Sequence, residues 1–319
     1  MAGRSLNIVG GHLSKARRRT SPRQTPSSRA VTLVDLARAT RNLAHAVRNS
    51  RAQITDAAVG SPAELDWLAH PELADGVRSL PDAYRQGAMH LLQAEDHCFA
   101  LAELIRTKRS FACDPVARAL AENSARAWFL LEPGVHPDER VRRLLNERLW
   151  AAQEYSAWAR KLEDRDTDLA AAAAASLARL VAEIGQVGYT VVGGGRSTPF
   201  IQERRPGAGT LLERAIQQPD ALGELKGHGA SFYASTSAIA HGGMHGFIQR
   251  VDLSLDAAGL ARGLVRGPTP AGIADTLALA PIVFGLAGVL CAEQFGRPTT
   301  PTTQARFALV KTWARAFDG

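Results

Sequence analysis

The sequence has few cysteines, and they are not grouped. Its 319 residues include three, Cys98, Cys113 and Cys291, which lie far apart and outside any CxxC motif. A disulfide framework or a cysteine-based zinc site needs paired or clustered cysteines. The chain is therefore neither a disulfide-stapled small domain nor a protein built around such a zinc site.

The sequence also lacks a long hydrophobic run. Its most apolar uncharged segment, residues 276–292, is shorter than the ~20 residues that a membrane-spanning helix needs, and it contains Pro281 and two glycines. This pattern predicts a buried core helix or a broken helix pair, without a membrane partner. Because the basic N-terminus has no apolar segment of the kind found in secretory signals, we expect a cytoplasmic protein.

Acidic residues are missing from the N-terminal segment. Seven of the 38 Lys and Arg residues lie in the first 34 residues, which contain no Asp or Glu, and the rest of the chain is formally neutral. Basic segments rich in Ser and Pro remain disordered when they lack apolar periodicity. We predict a disordered basic tail over residues 1–30, which either binds nucleic acid or an acidic partner or merely solvates the chain.

Aromatic residues make up only 6% of the chain, whereas 45% of it is hydrophobic, with long alanine runs such as residues 170–175. This balance favours helices over sheets. Apolar residues recur every three or four positions in several long segments. These segments lie near residues 31–58, 81–108, 114–132, 136–161 and 167–188. The predicted fold class is mostly α, a multi-helix bundle.

One stretch interrupts the helical pattern. Residues 188–209 combine a β-rich YTVV, three successive glycines and two prolines, which predicts a β-hairpin or an irregular loop covering a site. Helical patterns resume near residues 222–245 and at the C-terminus. We predict a single helical domain over residues 31–319, with a subdivision near residues 188–209 as the alternative.

The first candidate site is a polar row near the end of the 222–245 helix. Tyr233, Ser237 and His241 follow one another at i, i+4 and i+8, so they share one helical face. A histidine one turn after a serine could act as a general acid or base, which makes these three the candidate catalytic residues. The alternative is structural, because His241 followed by two glycines is typical of a helix end.

A second row combines charges at the same spacing. Arg118, Glu122 and Arg126 lie at i, i+4 and i+8 in a helix that is otherwise strongly apolar. Buried charges are costly unless they are paired. Either Glu122 and Arg126 form a structural ion pair, or they bind an anion such as a phosphate.

Metal and cofactor motifs are not found in the sequence. His90 and His97 share a helix with Asp96, but a metal site in a bundle usually needs ExxH or HExxH pairs. The glycine run at 193–195 matches neither GxGxxG nor the P-loop pattern. We therefore predict no metal site and no cofactor.

Two stretches of the sequence resemble known proteins. ARALAENSARAWFLLEPGVHPDERVRRLLNERL at residues 117–149 and FYASTSAIAHGGMHG at residues 232–246 resemble a group of uncharacterised all-helical proteins from actinobacteria. The chain is more distantly similar to HEPN-type helical domains, which include nucleotide-binding modules and ribonucleases. Their active helix carries an Arg four to six residues before a His. Here the corresponding positions before His241, residues 235–237, are Ser and Thr, so Arg126 would have to supply the cation.

The hypothesis that follows is a helical bundle with one polar pocket. The pocket would be formed by Glu122, Arg126, Tyr233, Ser237 and His241, and would bind or act on a nucleotide or RNA. The alternative is a non-catalytic interaction protein, in which Ala-rich helices form a homodimer interface and the basic tail recruits an acidic partner.

Overall fold

A computed structural model describes residues 30–52, 56–162, 166–194, 197–217, 227–241, 251–255, 261–265 and 269–317. Residues 1–29 of the predicted tail lie outside the described residues. The binding of nucleic acid or of an acidic partner by this tail stays a prediction. Residues 31–319 group as one compact unit.

Helices form most of the described chain, as the composition predicts. They are α1 (Leu33–Ala52), α2 (Pro62–Ala69), α3 (Leu80–Arg106), α4 (Ser110–Leu131), α5 (Pro137–Arg160), α6 (Thr167–Gln186), α7 (Ala208–Ile216), α8 (His228–Ala240), α9 (Pro270–Leu277), α10 (Leu279–Gln294) and α11 (Thr300–Phe317). The predicted insertion contains an antiparallel hairpin of β1 (Val191–Gly194) and β2 (Ser197–Ile201). These elements confirm the mostly α bundle with a short hairpin.

A second hairpin follows α8, where the sequence indicated only a polar connection. Strands β3 (Val251–Leu255) and β4 (Ala261–Val265) pair antiparallel in continuous register. Helix α8 itself is described from His228 to Ala240, so both ends of the predicted 222–245 helix lie outside the described residues.

The α3–α4 hairpin forms the centre of the fold. The two helices are joined by three residues and pack along each other. The sequence predicts an apolar seam on α3 with heptad-like 4-3-4-3-4 spacing, and this seam is buried throughout. This seam consists of Gly87, Leu91, Ala94, Cys98, Leu101 and Ile105. A Cβ at Gly87 would lie 2.7 Å from Cγ of Leu131, so the glycine is what allows α3 and α4 to approach so closely.

Helix α4 starts earlier than the sequence indicated. The pair Asp114-Pro115 is typical of an N-cap followed by the first helical position, but the helix begins at Ser110 and Pro115 lies inside it. The backbone N–H of Cys113 donates to the carbonyl of Arg109 over 3.2 Å, so the first turn is already formed before the proline. Proline removes only one backbone hydrogen bond there.

Helix α10 is the buried core helix that the uncharged segment predicted. It packs against α1, α3, α4 and α11, and nearly all of its residues are buried. None of the described helices alone is long and apolar enough to cross a membrane. Helices α9 and α10 together have the length and composition of a membrane span, but the pair is bent by 55°.

Helix α5 buries a different face from the one expected. It begins as predicted, with His136 at the N-cap accepting a hydrogen bond from the backbone N–H of Asp138 over 3.3 Å. The apolar spacing of the sequence predicts a buried stripe of Leu144, Ala151, Tyr155, Trp158 and Leu162. This prediction is wrong beyond Leu144, because Tyr155 is 48% and Trp158 is 50% exposed. Small and polar residues are buried instead on the last turns of the helix, namely Gln153, Ser156 and Ala159.

Candidate functional site: a polar cleft and a neighbouring arginine cluster

Helix α4 places Arg126 in the interior of the bundle. The Arg126 guanidinium is 6% exposed, and its Nη2 donates to Oε1 of Glu122 over 2.8 Å. Its Nη1 donates to Oε1 of Glu147, on α5, over 2.9 Å. The i, i+4 pair predicted from the sequence is therefore formed, and a second carboxylate from another helix completes it.

Glu147 lies between two guanidinium groups. Its side chain is 8% exposed, and Nε of Arg205 lies 2.7 Å from its second carboxylate oxygen. Burial lowers the pKa of the Arg205 guanidinium, and the carboxylate of Glu147 opposes that shift. A buried carboxylate shared by two arginines is compensated on both sides, which is what makes its burial tolerable.

Trp150, one turn after Glu147, forms an aromatic wall beside these arginines. The guanidinium carbon of Arg205 lies 3.8 Å from the centroid of the Trp150 ring, and that of Arg126 lies 5.7 Å from it. The indole is 36% exposed, so part of the ring remains available to another planar group. Stacking of arginine on an aromatic face is favourable.

The β1–β2 hairpin holds Arg205 in place. Oδ1 of Asn146 accepts the backbone N–H of Ile201 over 2.7 Å, and its Nδ2 donates to the carbonyls of Ile201 and Glu203, each over 3.2 Å. Asn146 therefore fastens the end of β2 to α5. Arg205 follows two residues after Glu203 and lies beside Glu147.

These side chains line a cleft of about 340 Å³ between α3, α4 and α5. Its lining residues are Gln86, His90, Gln93, Glu122, Asn123, Arg126, Leu144, Glu147, Arg148, Trp150, Ala151 and Arg205. Three amides, three arginines and an aromatic ring thus converge on one space, and small-molecule sites commonly combine such polar groups within a concave surface.

His90 is neutral at the floor of this cleft. Its Nδ1 lies 3.2 Å from Oδ1 of Asn123, and its Nε2 lies 3.3 Å from Nε2 of Gln86. An amide oxygen accepts and an amide nitrogen donates, so these contacts place the ring proton on Nδ1. Burial lowers the pKa of His90, which favours the same neutral state.

Arg118 forms a second cluster two turns back along α4. Its Nη2 donates to the hydroxyl of Tyr233 over 2.7 Å, and its Nη1 lies 3.3 Å from Nε2 of His241. The guanidinium carbon also lies 4.7 Å from the centroid of the Tyr233 ring. Both partners come from α8, which packs against α4.

Four of the five predicted site residues fall into two groups, and the fifth, Ser237, is half-buried on α8 outside both. Glu122 and Arg126 line the cleft, whereas Tyr233 and His241 contact Arg118; within the described residues, no hydrogen bond joins His241 to Glu122 or Arg126. His241 is the C-cap of α8, as the structural alternative proposed, and its backbone N–H donates to the Ser237 carbonyl over 3.0 Å.

Several residues of these sites were not proposed as ligand-binding residues from the sequence, among them Arg118, Glu147, Trp150, Arg205 and His90. Glu147 and Trp150 lie in the run RLLNERLW, where a charged residue between leucines could have indicated a buried ion pair. Arg205 follows the hairpin, and His90 had been considered only as a metal ligand. Among the described residues, no group of three or more His, Cys, Asp or Glu side chains could hold a metal ion.

No protein family matches the sequence, and no curated protein or solved structure matches it either. The resemblances to actinobacterial helical proteins and to HEPN-type domains remain predictions. Arguments about function therefore depend on the geometry of the two sites.

Proposed function

We propose that this protein binds a nucleotide in the cleft between α3, α4 and α5. The observation that carries the proposal is the position of Arg126 and Arg205, both fixed on Glu147 beside the exposed part of the Trp150 ring. A nucleotide presents a planar base and an anionic phosphate. The cleft offers an aromatic surface for the first and guanidinium donors for the second.

The arginines keep donors for a ligand although they are paired. A guanidinium has five N–H groups, and the contacts with Glu122 and Glu147 use two nitrogens of Arg126 and one of Arg205. The carboxylates hold the two forks in fixed positions. Such preorganisation reduces the entropy that a ligand must otherwise lose on binding.

The remaining lining suits the edge of a base. Gln86, Gln93 and Asn123 each carry an amide, and amides both donate and accept, as the edges of nucleobases do. The cleft volume of about 340 Å³ is at the lower end of the ~300–1,000 Å³ typical of ligand pockets. This size favours a mononucleotide over a dinucleotide cofactor.

The test is titration of the purified protein with the common 5′-mononucleotides, followed by calorimetry and by Trp fluorescence. Arg205→Ala should weaken binding by about tenfold or more, because it removes a charged donor. Arg204→Ala is the matched control, since Arg204 is exposed and lies outside the cleft lining. The proposal would be contradicted if none of the nucleotides bound, or if Arg205→Ala and Arg204→Ala bound a nucleotide with equal affinity.

A second candidate function is self-association without catalysis, as in the alternative reading of the sequence. The observation that favours it is the pair Tyr155 and Trp158, which are about half exposed and stack on each other with ring centroids 5.8 Å apart. Aromatic residues are enriched at protein interfaces. Sedimentation should then show a dimer that Trp158→Lys dissociates, and a monomeric wild-type protein would rule it out.

A further inference from the structure

Arg118 differs from the arginines that line the cleft in having no acidic partner in the described part of the chain. Arg126, Arg148 and Arg205 each form an ion pair with a carboxylate. The contacts of Arg118 are with a phenol, an imidazole and an aromatic face. Its positive charge is therefore fixed in position without being neutralised by a described residue.

The hydrogen-bond pattern leaves further donors next to that charge. Because a guanidinium only donates, the Tyr233 oxygen must accept from Arg118, which leaves its own O–H free to donate. Nε2 of His241 likewise accepts from Arg118, which places the ring proton on Nδ1. Arg118, Tyr233 and His241 together present donors and a positive charge, as phosphate recognition requires.

The cluster and the cleft lie on one helix. Arg118, Glu122 and Arg126 follow at i, i+4 and i+8 along α4, which separates Arg118 from Arg126 by about 12 Å at 1.5 Å per residue. A mononucleotide seated at Arg126 would not extend over that distance. A strand with further nucleotides would.

We propose that Arg118, Tyr233 and His241 bind a backbone phosphate of a single-stranded oligonucleotide whose terminal nucleotide occupies the cleft. This inference rests on the proposed nucleotide site and specifies its ligand as an oligonucleotide. His241, exposed at the end of α8, donates to the phosphate through its Nδ1–H, while its Nε2 keeps its contact with Arg118.

The experiment compares a mononucleotide with the corresponding tetranucleotide, as RNA and as DNA, by fluorescence anisotropy. The wild-type protein should bind the tetranucleotide at least tenfold more tightly. Arg118→Gln should remove that gain and change mononucleotide affinity less than twofold, whereas Arg126→Gln should weaken both ligands. Arg179→Gln, which removes an exposed charge on α6, is the control for net charge and should change neither.

The outcomes separate the two proposals. If the mononucleotide binds and Arg118→Gln leaves tetranucleotide affinity unchanged, the second phosphate site is refuted and the cleft stands. If neither ligand binds, the nucleotide site itself is refuted.

Two further measurements cover the case in which Arg118→Gln does not fold. Tyr233→Phe keeps the ring but removes the hydroxyl, and it should lower tetranucleotide affinity about threefold to tenfold. Inorganic phosphate should shift the His241 ring resonances of the wild-type protein. No loss of affinity in Tyr233→Phe, or no response of His241 to phosphate, would overturn the proposal.

Discussion

Glu147→Gln tests whether the cleft depends on one buried carboxylate. The substitution keeps the shape of the side chain but removes the charge that Arg126 and Arg205 share. The side chains of Glu147, Arg126 and Arg205 are 8%, 6% and 11% exposed, so solvent can replace little of the lost interaction. Both guanidiniums would then be close together, with the Glu122 carboxylate as the remaining anion in contact with Arg126.

The magnitude follows from the cost of breaking a buried ion pair, about 3–5 kcal/mol. Arg126 keeps Glu122, and the new amide oxygen can still accept from one guanidinium, so we expect a loss of about 2–3 kcal/mol in the free energy of unfolding. For a domain of this size that corresponds to a fall in melting temperature of about 3–5 °C. Thermal and urea denaturation, followed by circular dichroism, measure it.

The same substitution should strengthen anion binding. Once Glu147 is replaced by Gln, the single amide oxygen can accept from only one of the two guanidiniums. The other guanidinium is released, and the positive charge of the two arginines is less compensated. Added phosphate should therefore raise the melting temperature of Glu147→Gln more than that of the wild-type protein. Glu103→Gln is the control, because Glu103 pairs with Arg41 and Arg106 on the surface; it should leave the melting temperature nearly unchanged. A Glu147→Gln protein as stable as this control would refute the reasoning.

Three other substitutions test how the cleft is built. Gly87→Ala should cost about 1–3 kcal/mol, measured by urea unfolding, because its Cβ would meet the Leu131 side chain; an unchanged midpoint would contradict the close packing. Asn146→Ala should accelerate amide exchange at Ile201, whose N–H it would leave unbonded; exchange as slow as in the wild type would contradict this clamp. Burial lowers the pKa of His90 in the folded protein, so the unfolded state binds more protons. The free energy of unfolding should therefore fall as pH decreases through about 6.5. His90→Gln should reduce this pH dependence, and identical stability–pH profiles of the variant and the wild-type protein would contradict the prediction.

Local periodicity predicted the parts of the fold in which buried residues are also apolar. The seam of α3 follows directly from its 4-3-4-3-4 spacing, because every position in it is apolar or glycine. The stripe of α5 could not be read in this way. Its aromatic residues Tyr155 and Trp158 face outward while Gln153 and Ser156 are buried, and hydrophobicity alone assigns these four residues to the wrong faces.

The candidate sites show the same division between local and distant contacts. The pairing of Glu122 with Arg126 is set by helical geometry, so the sequence predicts it. The contact of Arg118 with His241 joins positions 123 residues apart, and it depends on how α8 packs on α4. Sequence spacing carries no information about that packing, which is why Arg126 rather than Arg118 was expected to meet His241.

The two arginines at i and i+8 on α4 therefore have different electrostatic environments, and this difference can be measured. The charge of Arg126 is already compensated by Glu122 and Glu147, so a phosphate that binds its remaining N–H groups displaces few counterions. Arg118 lacks such a partner among the described residues, so a phosphate there adds a new charge pair and displaces counterions. For single strands each such contact contributes about 0.7 to the slope of log affinity against log salt concentration. Arg118→Gln should reduce the slope for a tetranucleotide by about that amount, and an unchanged slope would show that Arg118 does not contact the strand.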